Sequence, residues 1–502
     1  SNSVESNISG VIAPITPQQQ QKCDYLYIDA NCIVYLIWKN LQSTLTSKHR
    51  LWTKIISAYI DELDKLIQLI SPQKLFYIAF DGMAPMSKIN QQRERRHQSY
   101  YIDQLHSEDK EVLFDKTMIS PGTAFMKELC LAVKKHYLVS TTTIVSDTEE
   151  AGEGEQKILH HIKSLSGASR VVIYSPDADV VILSLVSLIN NPELTLHVLR
   201  VSEDFINPVV KSEYFLLKVN EYKNHFIRNL RQEINTTRLL EESRLIIDYI
   251  FLTLLAGNDF VVPIQYLAMR KDNLRTILSC YGQVLKHTDE YLIKDDHSLN
   301  LKIFIRLIQA ISKLELGKFK KITKQIGYVR RSGGRGPVSF EHSYFFDPRH
   351  PLYDQYNGVF DSIDFNGFVW EDQYYHHYHI EDIPQLCQDY LTSLIYTFKY
   401  YLDEVPSWTW YYRHHCAPLY CDFLQYLQSN FPYPNFTQGQ PLSCSQQLAL
   451  ILPRELLDTI SPSSKNKLLN NAILRHFYMA NIGDLQLEVY SGQKFIYSKP
   501  IL

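Results

Sequence analysis

The chain reads as an α/β protein: a mostly parallel central sheet flanked by helices, with a second, largely helical and aromatic-rich region packed on it. Three observations predict this. Between Asp24 and about Gly327, short apolar runs alternate with amphipathic stretches, the pattern of strands joined by crossover helices. Acidic residues stand just past those apolar runs, where open sheets gather their functional groups. After the glycine-rich break at Arg330–Val338 (RRSGGRGPV) the strand rhythm stops and Tyr and Trp become frequent.

Taken in order, Ser1–Lys22 is polar and ends in a glutamine run, so residues 1–23 are predicted to be a disordered tail. Strands are predicted at YLYIDA (25–30), LFYIAF (75–80), TTTIVS (141–146), VVIYSPDADVVILSL (171–185) and LTLHVLRV (194–201). Leu75–Phe80 has the length of a buried strand, and Gly82 and Pro85 stop it. Residues 24–327 form the α/β domain, 328–350 a glycine-rich linker and 351–502 the second region. Within that region Ile380–Leu427 is helical in pattern, and LQLEVY and KFIYS are the last strands.

Bulk properties narrow the chemistry. A length of 502 residues suits two or three domains. A formal charge of −3 excludes a generally basic nucleic-acid coat, so a polyanion would have to be met by a local patch. The cysteines at 23, 32, 130, 280, 387, 416, 421 and 444 show no disulfide framework, which favours a reducing compartment. His414, His415, Cys416 and Cys421 lack the second paired half of a zinc site. No apolar stretch is long and uncharged enough to span a membrane, and no signal peptide opens the chain.

The run Asp81–Arg96 (DGMAPMSKINQQRERR) places an acid at a strand end and a basic helix straight after it. Lys88, Gln92, Arg95 and Arg96 fall at i, i+4, i+7 and i+8, so in a helix all four share one face. Converging guanidinium and ammonium donors suit a terminal phosphate; the bland alternative is a solvated basic helix. Acids recur at strand ends and tight glycine turns: Asp29 (YIDAN), Asp81 (AFDG), Glu153 and Glu155 (AGEGEQK), Asp177 and Asp179 (SPDADV), and Asp259 (AGNDF). Each alone also reads as a cap or a solvated turn. Together they are too many for a general acid/base pair and would repel unless they protonate or bind hard cations. Mg²⁺ or Mn²⁺ fits an oxygen-only set, and two such ions clamp the attacking and leaving oxygens in phosphodiester hydrolysis. An extended Asp-Ala-Asp would point Asp177 and Asp179 to the same side. Neither a GxSxG elbow nor a P-loop offers a rival chemistry.

With these residues in place, the chain resembles the Xrn family of 5′→3′ exoribonucleases from Tyr25 to about Ser498. The pattern DGxAPxxKxNQQRxRR is matched by Asp81–Arg96, PGTxFM by Pro121–Met126, GEGExKI by Gly152–Ile158, DADxxxLxL by Asp177–Leu185 and GNDF by Gly257–Phe260. In the second region VPSWxWYYxxHxAP appears as Val405–Pro418 and QLxxxLP as Gln447–Pro453. Flap endonucleases share the acids but not the NQQRxRR or PSWxWYY elements.

The resemblance implies a PIN/FEN-like nuclease core. It implies metal ligands at Asp29, Asp81, Glu153, Glu155, Asp177, Asp179 and Asp259 for two Mg²⁺ ions, with Mn²⁺ as a substitute. It implies a 5′-monophosphate pocket at Lys88, Gln92, Arg95 and Arg96, with Lys88 also among the catalytic groups. The implied substrate is single-stranded RNA with a 5′ monophosphate, hydrolysed stepwise to mononucleotides after decapping, by a cytoplasmic monomer with no membrane contact and with the decapping machinery as its protein partner. Some positions depart from the pattern. Where the family's DxNGxxH ends in a base-stacking histidine, this chain reads DANCIVY and ends in Tyr35, which keeps an aromatic face worth roughly 1–3 kcal/mol per base. Trp408 or Trp410 is the partner aromatic, with at least one of them a core residue. Met86 replaces a common arginine, and the MGVPxFFxW opening is missing. The chain is expected to be a compact, divergent member without the long carboxyl-terminal extension. The competing readings are a non-catalytic RNA-binding scaffold of the same fold and a 5′ nuclease acting on DNA flaps.

Overall fold

The computed structural model describes residues 11–15, 22–41, 48–93, 95–96, 116–177, 179–201, 214–235, 239–267, 271–331, 363–402 and 405–452, and the backbone of 485–490 and 493–498. Its centre is a seven-stranded sheet in the order β1-β7-β6-β5-β2-β3-β4. The strands are β1 (Ile12–Ile15), β2 (Cys23–Asp29), β3 (Pro72–Ala79), β4 (Thr143–Ser146), β5 (Arg170–Tyr174), β6 (Thr195–Val201) and β7 (Tyr214–Lys218). β2 pairs in parallel with β3 and β5, and β3–β4 and β5–β6 are also parallel. β7 runs antiparallel between β6 and β1.

Each parallel step needs a crossover, and helices supply it. α1 (Ala30–Leu41) and α2 (Lys48–Ile70) link β2 to β3. A helix over residues 86–93 and 95–96, here α3, and α4 (Ala124–His136) precede β4; α5 (Gly154–Lys163) precedes β5 and α6 (Asp179–Asn190) precedes β6. Two clusters of buried side chains cover the two faces: Leu26, Ile28, Phe76 and Ile78 face one, and Tyr27, Tyr77, Val171 and Ile173 the other. That alternation is the period-two signature of strands covered on both sides. β2 has neighbours reached from opposite directions, so the chain reverses its order there and leaves a crevice beyond its carboxyl end.

The remaining helices are α7 (Val219–Ile234), α8 (Glu242–Leu254), α9 (Lys271–Leu285), α10 (Leu301–Ser312), α11 (Glu315–Arg331), α12 (Trp370–His377), α13 (Ile383–Leu402), α14 (Tyr420–Leu427) and α15 (Cys444–Ile451). α7 to α14 share one hydrophobic cluster with the sheet face carrying Tyr27, so the second region packs on the first. α15 joins a smaller cluster with Ala84 and Ile89 and thereby props α3 from below. β8 (Leu485–Tyr490) and β9 (Gln493–Ser498) form a hairpin, as the sequence predicts. No helix among the described residues is long and apolar enough to cross a membrane.

Five expectations need correction. The predicted tail contains β1, because the apolar quartet IAPI finds the free edge of β7. β7 itself carries no predicted strand, although its first four residues, YFLL, form an apolar run. The predicted strand 171–185 ends at Tyr174, and its second half is the buried helix α6. A run buried on all sides shows neither period, so strand and helix look alike in it. α11 continues to Arg331, past the expected boundary at 327, and the rest of the glycine-rich linker lies outside the described residues. The helical stretch 380–427 is two helices separated by a non-helical loop that carries Trp408 and Trp410.

Candidate active site

The acids meet beyond the carboxyl ends of β2, β3 and β5. Asp29 is the last residue of β2, Asp81 follows β3, and Asp177 follows β5. Two glycine turns bring in the fourth segment. The Gly82 N–H bonds the Gly152 carbonyl at 2.9 Å and the Gly152 N–H bonds the Met83 carbonyl at 2.8 Å, which zips the Asp81 turn to the Glu153 loop. Gly152 has φ +107°, a conformation open to glycine at little cost. Gly154 opens α5 in such close quarters that a Cβ there would lie 2.8 Å from the Ala79 carbonyl, 3.3 Å from Asp29 Oδ1 and 3.4 Å from Asp81 Oδ1. Its own N–H donates to Asp81 Oδ1 at 2.8 Å. Asn31, on the first turn of α1, donates to Asp81 Oδ2 at 2.7 Å, and Ser175 donates to Asp29 Oδ2 at 3.1 Å.

One cavity of about 580 Å³ joins these acids to the basic helix. Asp29, Asp81, Glu153, Glu155 and Asp177 line it together with Lys88, Gln92, Arg95 and Arg96, as do Tyr35 and Ser120. The shared face expected from helical spacing is therefore present and opens towards the acids. Arg96 donates to Tyr35 Oη at 3.2 Å, Ser120 Oγ at 3.1 Å and the Ile119 carbonyl at 3.3 Å, so its guanidinium is held in place. Arg93 points the opposite way, is 6% exposed and donates to the Leu450 carbonyl on α15 at 2.7 Å.

Lys88 reaches from α3 to the acids. Its Nζ lies 3.0 Å from Glu153 Oε1 and 2.7 Å from Asp259 Oδ2. Burial opposes its charge, but Glu153, Asp259 and Glu155 outweigh that and hold its pKa above the usual lysine value. Asp259 also accepts from Gln91 at 2.9 Å. Asp179 and Asp259 do not line this cavity. Asp179 begins α6 and its N–H donates to Asp177 Oδ1 at 3.2 Å, so the expected extended Asp-Ala-Asp is replaced by a turn into a helix. Neither Trp408 nor Trp410, expected as stacking partners, lines this cavity. Trp410 packs instead on Tyr396 and Phe436, at centroid distances of 4.9 and 6.2 Å. The Trp408 carbonyl accepts the Met86 N–H at 3.0 Å and so anchors the first turn of α3.

The acids are electrostatically tense. Burial, with added repulsion from Asp81, pushes the Asp29 carboxyl up to about 8. Burial also raises Glu155, with repulsion from Glu153 second; it raises Asp179, with Asp177 second; and it raises Glu153, which Lys88 partly relieves. Among the described residues no three acids, histidines or cysteines are grouped tightly enough to enclose a metal ion as they stand. In kind, the donor set fits a hard divalent cation: it is oxygen-only, largely buried and mutually repelling.

Sequence reasoning missed the groups that hold the acids. Tyr400 on α13 donates to Glu153 Oε2 at 2.6 Å, and Tyr401 donates to Asp179 Oδ2 at 3.1 Å. The buried Lys157 ties the Phe80 and Asp147 carbonyls, each at 2.8 Å. Lys157 and Asn31 lie inside quoted motifs and could have been suspected there; nothing local marks the tyrosines among so many.

The fold is an open, mostly parallel α/β sheet with clustered acids and a basic helix at its switch point, and a helical second region packs on it. A family model described as the XRN 5′-3′ exonuclease N-terminus matches residues 2–201, and one described as the Xrn1 helical domain matches residues 240–332 and 353–495. The chain belongs to the Xrn family. It is 23% identical to 5′-3′ exoribonuclease 1 of Saccharomyces cerevisiae over 94% of this chain and 40% of that protein. It is 25% identical to 5′-3′ exoribonuclease 1 of Homo sapiens over 88% of this chain and 29% of that protein. With 5′-3′ exoribonuclease 2 of Arabidopsis thaliana it shares 23% over 98% of this chain and 63% of that protein. The chain thus spans less than two thirds of the length of each of these relatives. Among solved structures, the catalytic core of Rad2 in complex with DNA substrate aligns over 80% of this chain and 98% of that one, at 13% identity and a TM-score of 0.29, a superposition too loose to carry an argument.

Proposed function

We propose that the chain is a divalent-metal-dependent 5′→3′ exoribonuclease that removes mononucleotides from single-stranded RNA bearing a 5′ monophosphate. One observation carries the reading: a single cavity is lined both by carboxylates and by Lys88, Gln92, Arg95 and Arg96. A terminal phosphate held by Arg95, Arg96 and Gln92 sets the first phosphodiester over the acids. A cap or extra phosphates would add bulk and unneutralised charge to that pocket. Asp29, Asp81, Glu153, Glu155 and Asp177, with Asp179 and Asp259, would hold two Mg²⁺ or Mn²⁺ ions. Such ions supply an activated water and stabilise charge on the phosphate when bound. Lys88 neutralises Glu153 and Asp259 and presents its ammonium between the acids and the phosphate face. Tyr35 offers its ring to the first base while its hydroxyl steadies Arg96. The relatives' names support RNA rather than DNA as the substrate. We place the chain as a monomer in cytoplasmic decay after decapping.

The test is time-resolved cleavage of 3′-labelled RNA with Mg²⁺, comparing 5′-monophosphate, 5′-triphosphate, 5′-hydroxyl and capped ends beside a matched DNA strand. Rapid loss of the monophosphorylated RNA alone is expected. Binding without loss of any strand would refute hydrolysis and favour a scaffold; equal loss of DNA would refute the RNA assignment.

A further inference from the structure

The second region does more than cover the sheet. On α13, Tyr396, Tyr400 and Tyr401 fall at i, i+4 and i+5, on the side turned towards the acids and α3. Tyr400 is 1% exposed and donates to Glu153 Oε2 at 2.6 Å, while the other oxygen of Glu153 faces Lys88 at 3.0 Å. Tyr401 donates to Asp179 Oδ2 at 3.1 Å and accepts from Asn258 Nδ2 at 2.9 Å, linking the Asp179 turn to the residue beside Asp259. Tyr396 Oη accepts from Ser87, the neighbour of Lys88, at 3.1 Å and donates to the Ser407 carbonyl at 2.8 Å. Phe260 packs on both Tyr396 and Tyr400, with centroids 6.3 and 4.9 Å away.

A buried tyrosine hydroxyl finds a partner, but a backbone carbonyl would serve as well. Here two adjacent tyrosines spend theirs on carboxylates of the acid cluster. A donor to one carboxylate oxygen fixes the rotamer and leaves the second oxygen's direction determined, which is how outer-shell partners orient metal ligands. We infer that Tyr400 and Tyr401 are positioning residues for Glu153 and Asp179, through which the second region sets the cation affinity of the acid cluster. The inference rests on the reading that the acids hold divalent ions.

The experiment is titration of Mn²⁺ into the full chain without RNA, followed by the electron paramagnetic resonance signal of free Mn²⁺. Wild type takes up Mn²⁺; Tyr400→Phe and Tyr401→Phe each weaken uptake by about tenfold or more, the low end for outer-shell partners. In a Glu153→Gln background Tyr400→Phe causes no further loss, because its effect passes through that carboxylate. Tyr374→Phe serves as the structural control: its buried hydroxyl donates to the Ala417 carbonyl at 2.8 Å, within the second region, and its loss leaves Mn²⁺ uptake unchanged. With RNA added, the Mg²⁺ needed for half-maximal rate rises in the two variants while KM for RNA stays the same. Unchanged Mn²⁺ affinity in both variants, or an equal loss in Tyr374→Phe, overturns the inference while the metal reading stands. No uptake by wild type overturns both.

Discussion

Gly154→Ala isolates how closely the sheet and the acid loop must approach. The added Cβ would meet the Ala79 carbonyl at 2.8 Å, whereas an ordinary C–H···O approach is about 3.3–3.6 Å. Either β3 or the start of α5 must therefore withdraw by roughly half an ångström or more. Both are backbone, so no side chain can simply turn aside. Overpacking of this kind costs about 1–3 kcal/mol, offset by at most about 1 kcal/mol of helix propensity gained on leaving glycine. The same shift carries the Gly154 N–H away from Asp81 and crowds Asp29, which would lie 3.3 Å from the new carbon. A misplacement of 1 Å costs about 10²-fold in rate, so about tenfold is expected here. Urea denaturation gives the stability change, and single-turnover cleavage of 5′-monophosphorylated RNA gives the rate. An unchanged denaturation midpoint with a rate within twofold of wild type would refute the close packing and the dependence of the acids on it.

Asp177→Ala or Asp179→Ala should abolish turnover while leaving RNA binding measurable by fluorescence anisotropy; full activity would remove those residues from the metal set. Arg95→Ala combined with Arg96→Ala should level the rates on 5′-monophosphate and 5′-hydroxyl RNA, and an unchanged ratio would sink the phosphate pocket. Glu315, 2% exposed and accepting the Tyr420 N–H at 2.8 Å, is pushed by burial up to about 7. A folded-state pKa above the unfolded one means its contribution to stability is full below about pH 4.5 and is lost as pH rises through about 7. At about 1.4 kcal/mol per unit, that window amounts to roughly 3 kcal/mol at most. Glu315→Gln should therefore flatten the fall in urea stability between pH 5 and 8, and an unaltered slope would show that another group carries it.

Much of the site was legible because its signals are local. The acids stand at strand ends, and the phosphate face follows from helical spacing within one short segment. Both depend only on backbone geometry a few residues long. The Asp177–Asp179 geometry was not legible, since the apolar run after it suits a buried strand or a buried helix equally. β1 and β7 were missed because an edge pairing is decided by which strand edge is free.

By itself, then, the sequence determined the α/β class, the inventory of acids and the register of the basic helix. The tertiary structure decided how those parts are held and shared. Lys88 turned out to span Glu153 and Asp259 rather than serve the phosphate face alone. Trp410 went to the aromatic packing around Tyr396, and two tyrosines from α13 became the hydrogen-bond partners of the acids. The reason is physical: Tyr400 and Glu153 are 247 residues apart, and contacts at that separation arise from how helices pack on a sheet. Short-range periodicity selects which face of α13 is apolar; only the packed chain decides which carboxylate that face meets.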